Sequence, residues 1–449
     1  MSVEMVEANT AYMPNTSYSG FTGINFTNIS NTNSGVSGHA TGVAKIFYGQ
    51  TTSLLTGLDT VGIRSAGDFL NNFLLVNPVG TSSANVVNHS YIGAADNSQE
   101  AALNEMIKRF DFFSQDSNLL NVIAMNNGNS GTIPPLFGSA YNAISVGRTD
   151  GLHSHGSTPA NYPGPGRQKP DIVAPLTVTS NATPAVSSAA TLLFDKAKLA
   201  SNSNATHADT IKACLLAGAT KTEFPNWSQT SAKPLDTTFG AGELNVFHSY
   251  RIIEKSESAL GTVNFRGWSR DSASTSQTRT YTFTTPNYLS PSLSTALIWQ
   301  RDVTETLNSY AYQNLANLKL ELLDDTGATI QTSDSALDNV EHIWNTTLSP
   351  NTTYSLKVSS TSGTANFSLA WQVDGEASAV VVSQAAGNDI DLSLSELFIS
   401  TPYTIRRSTD LVTWADVHDF TPTSNTYQWT DTNVPSDAGV FYQLFFFKP

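Results

Sequence analysis

Three side chains in this sequence are of types that together could perform nucleophilic acyl transfer. Such a reaction needs a hydroxyl nucleophile, a base that takes its proton, and hydrogen-bond donors for the oxyanion. Ser180, in the run TSNATP, could supply the hydroxyl, and His39, in SGHATGVA, the base. Asn129, in NGNSG, could aim its side-chain amide at the oxyanion. Read alone, these segments are a capping serine, a helix-capping histidine and a turn, so the prediction depends on their joint occurrence.

Short apolar strands and amphipathic helices, which would have to position these side chains, alternate over residues 1–255. This alternation is typical of an α/β domain with a parallel sheet covered on both faces. Ser180 would lie just ahead of a helix that starts at Pro184, and the N-terminus of that helix would favour a developing oxyanion. The predicted elements are strands at 2–6, 85–91, 121–125 and 143–146, and helices at 39–47, 98–113, 184–197 and 208–217.

In the order His, Asn, Ser, these segments resemble the subtilisin-like serine proteases. Residues 39–45 resemble the family's HGTHVAG motif with both glycines and the second histidine replaced, and residues 127–131 and 178–184 resemble AGNSG and GTSxATP. Residues 169–175 match KPDIVAP, and 240–245 match GxGxxN. The resemblance implies a subtilisin-like parallel sheet flanked by helices, and a serine endopeptidase that hydrolyses peptide bonds through an acyl-enzyme. It further implies Ser180 as nucleophile, His39 as general base, Asn129 as oxyanion donor, and Ser90, Tyr91 and Gly128 as substrate-binding residues.

The acidic member of the triad departs from the family pattern. No aspartate precedes His39, and Glu7, at the end of the strand-like run VEMVE, occupies the matching position. A carboxylate one methylene longer can still accept the imidazole N–H and stabilise the imidazolium. Glu4 would face the other side of the strand, because it lies an odd number of residues from Glu7. We therefore predict a variant Ser/His/Glu triad.

Two further departures lie beside the serine. Val178 replaces the family's glycine, and the segment 175–180 is short, so the family's primary pocket preference does not carry over. Together with Glu7 they prompt an alternative, a catalytically inactive subtilase fold that acts as a binding module. Retention of His39, Asn129 and Ser180 favours the enzyme.

Beyond residue 255 the sequence changes character. Alternating segments between turn clusters predict a jelly-roll-like β-sandwich over 256–375 and a small β-rich module over 376–449, after a catalytic domain at 1–255. Residues 296–299 (ALIW) and 338–341 (DNVE) resemble the β-domains that follow the catalytic unit in some bacterial subtilases.

Composition narrows the expected partners and compartment. The 449 residues include 37 Asp and Glu against 23 Lys and Arg, a net charge of −14, so nucleic acid is not expected. The single cysteine, Cys214, cannot form an internal disulfide and is predicted to be a buried core residue. A cysteine-poor, acidic chain suits a secreted, extracellular or periplasmic protein whose signal peptide is absent from this sequence. We expect a polypeptide substrate, no membrane span and a monomer.

No required cofactor or metal is predicted; the sequence is compatible with structural calcium but does not indicate it. His153 and His155 flank Ser154 in a polar loop, a spacing that could suggest a metal site. Because no third cluster of ligands lies nearby in the sequence, we predict that both are solvent-exposed loop histidines.

Overall fold

A parallel sheet forms the centre of the first half of the chain in the computed structural model. The structure describes residues 1–445 except 31, 33, 56, 94–99, 135, 201, 287, 308, 378–379, 385–388, 396, 398–401, 411–412 and 436–438. The strands of the sheet and the short hairpin that precedes the last of them are β1 (Ser2–Glu7), β2 (Asn25–Asn28), β3 (Thr60–Ser65), β4 (Val86–His89), β5 (Leu120–Ala124), β6 (Ala143–Arg148), β7 (Gly156–Ser157), β8 (Gln168–Lys169) and β9 (Ile172–Ala174). The sheet has seven parallel strands in the order β2-β3-β1-β4-β5-β6-β9, and β7 pairs with β8.

Helices cover both faces of this sheet. They are α1 (Gly38–Tyr48), α2 (Ala66–Asp68), which continues as a π-helical segment over Phe69–Leu74, α3 (Glu100–Asp116), α4 (Thr179–Lys198), α5 (Ala208–Gly218) and α6 (Val246–Ile253). Met5 of β1 packs into one apolar cluster with residues of α1, α4, α5 and α6. Its neighbour Val6 packs into a second cluster with α3 and the 69–74 segment. Successive residues of a strand point to opposite faces, so each face buries its own core.

The serine-bearing helix α4 begins earlier than predicted. The sequence predicted a start at Pro184, but the helix begins at Thr179, and Pro184 lies inside it. A proline in this position removes the N–H that would donate to the carbonyl of Ser180, four residues back. Ser180 therefore lies in the first turn of the helix and not ahead of it.

Two sheets of mainly antiparallel strands, with one parallel pair formed by the first and third strands in chain order, follow the α/β part. Their strands and a separate hairpin are β10 (Gly261–Thr262), β11 (Arg266–Ser274), β12 (Thr278–Thr284), β13 (Tyr288–Trp299), β14 (Val303–Thr306), β15 (Ser309–Tyr312), β16 (Asn317–Leu323), β17 (Thr329–Ser333), β18 (Val340–Asn345), β19 (Thr353–Ser362) and β20 (Thr364–Ala377). The sheets have the orders β10-β12-β19-β16-β17 and β11-β20-β13-β18, and β14 pairs with β15.

The C-terminal part is also all β. It contains β21 (Val380–Gln384), β22 (Ile390–Ser395), β23 (Tyr403–Ser408), β24 (Ala415–Phe420), β25 (Thr426–Asp431) and β26 (Phe441–Phe445). These strands form two three-stranded sheets, β21-β22-β25 and β24-β23-β26. The predicted fold class is confirmed in its main features: a parallel sheet flanked by helices, followed by β-domains.

The sandwich shares its core with the α/β part. Trp268, Ala296 and Ile298 are buried in the same apolar cluster as residues of α5, including the fully buried Cys214. Polar contacts join the same parts: Lys221 Nζ donates to Ser294 Oγ at 2.6 Å. Such continuous packing makes one compact unit of residues 1–283, 293–345 and 353–372.

A second compact unit comprises residues 284–292, 346–352 and 373–449. The predicted domain boundaries after residues 255 and 375 stay a prediction. In the part of the chain that the structure describes, no helix is long and apolar enough to span a membrane.

Candidate active site

Glu7 and His39 meet at the carboxyl end of the first strand. Glu7 is the last residue of β1, and His39 lies in the first turn of α1, whose start is capped by Ser37 Oγ accepting from Ala40 N–H at 3.1 Å. His39 Nδ1 lies 3.0 Å from Glu7 Oε2. The second carboxylate oxygen, Oε1, accepts from Ala8 N–H at 3.1 Å, so both oxygens are used and the carboxylate is held in place.

The environments of the two side chains differ sharply. The Glu7 side chain is 1% exposed, whereas that of His39 is 46% exposed. Because Nδ1 faces the carboxylate, the imidazole presents Nε2 on the opposite side of its ring. The hydrogen bond that His39 donates to Glu7 raises the pKa of His39 above its usual value, against the lowering effect of partial burial. The pair can therefore hold the imidazole in one tautomer and stabilise its protonated form.

Glu4, the other acidic residue of β1, serves a different purpose. Its carboxylate accepts from Ser82 Oγ, and Arg64 Nε lies 3.8 Å from its Oε2. Glu4 therefore does not compete with Glu7 for the imidazole.

Ser180 occupies the second position of α4, where the helix leaves backbone N–H groups free. Val178 caps this end in an extended conformation, with φ −140° and ψ 149°, and its carbonyl accepts from the N–H groups of Asn181 and Ala182, both at 3.0 Å. Among the described residues, no group accepts a hydrogen bond from the Ser180 N–H. That N–H is available to an oxyanion, at the helix end that favours negative charge.

Asn127 provides the side-chain cap that α4 lacks in its own sequence. Its Oδ1 accepts from Thr179 N–H at 2.9 Å and from Thr179 Oγ at 3.2 Å. Thr179 directly precedes Ser180, so Asn127 fixes the backbone at the predicted nucleophile. Sequence reasoning missed this role, because the contact joins a loop residue to the start of a helix 52 positions further along the chain.

Val178, which stands at the glycine position of the GTSxATP motif, does not strain the chain. Its extended φ and ψ are open to any residue and suit a β-branched one. The substitution adds bulk beside the serine without a backbone penalty.

Asn129 lies on the exposed loop that follows β5. Its Oδ1 accepts a hydrogen bond from His155 Nε2 at 3.1 Å. Gly128, with φ +89°, takes a left-handed conformation, and its N–H donates to Leu152 O at 3.1 Å. The loop is thus hydrogen-bonded to the segment around residues 152–155. Since the Asn129 side-chain oxygen is used in this contact, the amide nitrogen is the polar group of that side chain that remains to donate.

His153 contradicts the prediction of an exposed loop histidine. It is fully buried, accepts from Arg148 N–H at Nδ1 (3.1 Å) and donates from Nε2 to Thr238 O (2.9 Å). Burial lowers its pKa to about 4, so the ring is neutral near pH 7. The polar composition of the loop suggested solvent, but the ring finds both its partners within the protein. His155, in contrast, is half-buried.

The predicted substrate-binding residues Ser90 and Tyr91 extend past the end of β4. Pairing of β4 with its neighbours ends at His89. Asn88 Nδ2 donates to Ser90 Oγ at 2.9 Å, and Asn88 Oδ1 accepts from Ser187 Oγ of α4 at 3.0 Å. This chain of contacts ties the segment to the serine-bearing helix.

The buried His89 contacts the segment formed by Ser90 and Tyr91. His89 Nδ1 lies 3.2 Å from Tyr91 Oη, and Nε2 lies 2.9 Å from Asn121 Oδ1. Burial lowers the pKa of His89 to about 4. Burial also raises the pKa of Tyr91, and the nearby Glu7 carboxylate adds to that effect.

The structure therefore brings some predicted site residues into direct contact and leaves others apart. Glu7 and His39 are hydrogen-bonded, but among the described residues no hydrogen bond joins Ser180 to His39 or to Asn129. Catalytic hydrogen bonds are often long without substrate. No cluster of three or more His, Cys, Asp or Glu residues that could hold a metal occurs within the described residues.

No protein family and no curated protein matches the sequence. Among solved structures it is similar to the Pseudomonas serine-carboxyl proteinase sedolisin, with 12% identity over 56% of this chain and 91% of that chain and a TM-score of 0.36. It is also similar to the MycP3 protease of a type VII secretion system, with 17% identity over 55% and 82% of the two chains and a TM-score of 0.32.

Tripeptidyl peptidase 2 is a third similar structure, with 10% identity over 91% of this chain and 51% of that chain and a TM-score of 0.32. All three carry the names of peptidases. At these identities and TM-scores, function has to be inferred from the geometry of this chain's own residues.

Proposed function

We propose that this chain is a serine endopeptidase with Ser180 as nucleophile, His39 as general base and Glu7 as the acid that orients His39. The observation that carries the proposal is the 3.0 Å contact between His39 Nδ1 and the buried Glu7 carboxylate. Because Nδ1 is bonded to the carboxylate, Nε2 is the nitrogen left for proton transfer, as a base in acyl transfer requires. The free N–H of Ser180, in the first turn of α4, adds an oxyanion donor at the nucleophile itself.

The reaction follows from these roles. His39 Nε2 takes the proton of Ser180 Oγ as the oxygen attacks the peptide carbonyl carbon. The carbonyl oxygen gains negative charge and accepts from the Ser180 N–H and the Asn129 side-chain amide. Protonated His39, stabilised by Glu7, gives the proton to the leaving amine, and the C–N bond breaks. Water then attacks the acyl carbon while His39 takes one of its protons, the bond between the acyl carbon and Ser180 Oγ breaks, His39 returns the proton to Oγ, and the carboxylic acid product leaves.

A polypeptide in extended form is the proposed substrate. Ser90 and Tyr91 continue beyond the last paired residue of β4, where an added strand can hydrogen-bond to their backbone. Gly128 has a left-handed φ and, as a glycine, carries no side chain over the loop. It therefore leaves room for a second segment of substrate backbone. The reaction uses no cofactor. We also propose export to an extracellular or periplasmic site and a monomeric state.

The alternative is an inactive subtilase fold that binds its partner without cleaving it. It is favoured by one observation: Ser180 and His39, both described, share no hydrogen bond. A test must therefore measure reactivity at Ser180 and not binding.

Fluorophosphonate labelling of the purified chain, measured by intact mass, tests the nucleophile without requiring a known substrate. We expect one label per chain in the wild type and none in Ser180→Ala. Ser157→Ala, which removes the hydroxyl of an exposed serine that accepts from Gln168 Nε2 at 3.0 Å, is the matched control and should label fully. If the folded wild type stays unlabelled at neutral and alkaline pH, the peptidase proposal fails and the binding alternative stands.

A further inference from the structure

We propose that His155 is a positioning residue that holds the Asn129 amide in the orientation an oxyanion donor needs. This inference rests on the proposed function. His155 matches none of the motifs that predicted the site. It reaches Asn129 from a different loop, across 26 positions of sequence.

The contact determines which end of the amide is available. Asn129 Oδ1 can only accept, so His155 Nε2 carries the proton and donates across 3.1 Å. With the proton on Nε2, rotating the amide by half a turn would set its NH₂ group against the imidazole N–H, and this hydrogen bond would be lost; the rotated amide could bond only to the tautomer with its proton on Nδ1. The Nε2–H tautomer therefore selects the rotamer in which Nδ2 remains free to donate.

Asn129 has little else to hold it. The residue is exposed, and although the Gly128 N–H fixes the backbone of its loop to Leu152 O, the described residues make no other hydrogen bond to the Asn129 side chain. An exposed asparagine side chain populates several rotamers, and only some aim the amide at a given point. Without His155 the donor would have to be ordered during each reaction cycle.

His155 is itself held by two segments of the chain. Its backbone N–H donates to Ser130 O at 2.9 Å, which ties it to the loop that carries Asn129. Its Nδ1 lies 3.5 Å from Thr238 Oγ, which can donate to it when Nε2 carries the proton. The carbonyl of Thr238 accepts from His153 Nε2 at 2.9 Å, and the two imidazole rings lie edge to face with 5.8 Å between centroids. The orientation of the ring is therefore set on both sides.

The same contact should strengthen as the reaction proceeds. When Nδ2 donates to an oxyanion, the amide polarises and Oδ1 becomes a better acceptor for His155. An interaction that grows between the ground state and the transition state affects the rate of the chemical step and not substrate binding. A role in folding alone would not produce this pattern.

The test is the kinetics of inactivation by an alkyl fluorophosphonate. In that reaction a bond forms between Ser180 Oγ and phosphorus, the P–F bond breaks, His39 takes the serine proton and fluoride leaves. The phosphoryl oxygen occupies the oxyanion position. We expect His155→Ala to lower the maximal inactivation rate about tenfold, less than the roughly 10²- to 10³-fold cost of losing such a donor outright, with an unchanged half-saturation concentration. His155→Gln, whose amide can still donate, should restore most of the rate.

A double-mutant comparison separates positioning from a general structural effect. In the Asn129→Ala background, His155→Ala should cause no further loss of rate, because there is no amide left to orient. Leu152→Ala, an exposed side chain in the same loop, is the control and should leave the rate unchanged.

Equal rates for the wild type and His155→Ala would overturn the inference alone, since the wild type would still label. The inference would also be overturned if His155→Ala lowered the inactivation rate by the same factor in the Asn129→Ala background as in the wild type. That result would show that His155 does not act through Asn129. If the folded wild type does not label at all, the proposed function fails and the inference fails with it.

Discussion

The two halves of the candidate site are held by different kinds of structure. Glu7 and His39 lie at the end of β1 and the start of α1, and both elements bury apolar side chains in the main core. Ser180 lies in the first turn of α4, which packs into the same core, and Asn127 adds a polar contact to the preceding Thr179. Asn129, in contrast, lies on an exposed loop, and its side chain is hydrogen-bonded to His155. The acid–base pair is thus fixed by packing, whereas the Asn129 side of the oxyanion site is fixed by a few hydrogen bonds. Substitutions in the two halves should have different effects on rate and stability.

The largest effect is expected from Glu7→Gln, which keeps the shape of the side chain and removes its charge. The turnover number, kcat, should fall by about 10⁴-fold, as in other triads where the acid becomes an amide. Glu7→Asp keeps the charge but withdraws the carboxylate by about one bond length, and should cost about 10²-fold. Hydrolysis of a peptide substrate, or the fluorophosphonate inactivation rate, measures both.

Glu4→Gln is the matched control for these variants, because Glu4 lies on the same strand but contacts Arg64 and Ser82. It should change stability more than rate. Similar losses of rate for Glu4→Gln and Glu7→Gln would show that the charge of the strand, and not the contact with His39, is what matters.

A smaller effect is expected from Asn127→Ala in the other half. Removing the acceptor for the Thr179 N–H uncaps α4 and should lower the free energy of unfolding by about 1 kcal/mol, as measured by urea denaturation. Asn127→Asp retains an acceptor oxygen and should retain most of that stability. If the alanine variant is as stable as the wild type, the contact at 2.9 Å does not support the helix start.

The smallest effect is expected in the pH profile. The base must be neutral to accept a proton, so kcat/KM should fall as pH drops through the pKa of His39. Glu7 raises that pKa above the usual 6.5, so the acid limb should lie above pH 6.5. Replacing Glu7 with glutamine removes the raising charge and should move the limb to lower pH. An unmoved limb would mean that another group titrates.

Much of the fold could be predicted from the sequence because it depends on local patterns. The period of two along β1 placed Glu4 and Glu7 on opposite sides, and their side chains have different partners. Alternating strands and helices predicted the parallel sheet. Helix ends were less accurate: the predicted helix 98–113 is observed as Glu100–Asp116, with 98 and 99 outside the described residues.

The features that the sequence could not predict depend on contacts between distant segments. Proline is a good first residue of a helix, so Pro184 suggested a start five residues too late. The true start is supported by Asn127, which belongs to another loop. His153 lies in a polar stretch typical of a surface loop, but the carbonyl of Thr238 provides a buried partner. Nothing in the local sequence of either residue indicates the partner.

The shared core of the α/β part and the sandwich has a consequence for cleavage of the chain. Trp268 lies in the same buried cluster as α5, and its indole N–H donates to Lys255 O at 2.8 Å, at the end of α6. A cut in the connection between the α/β part and the sandwich would sever the covalent chain. It would not remove the packing between these two parts. A nicked protein of this design would stay assembled and would come apart only on denaturation.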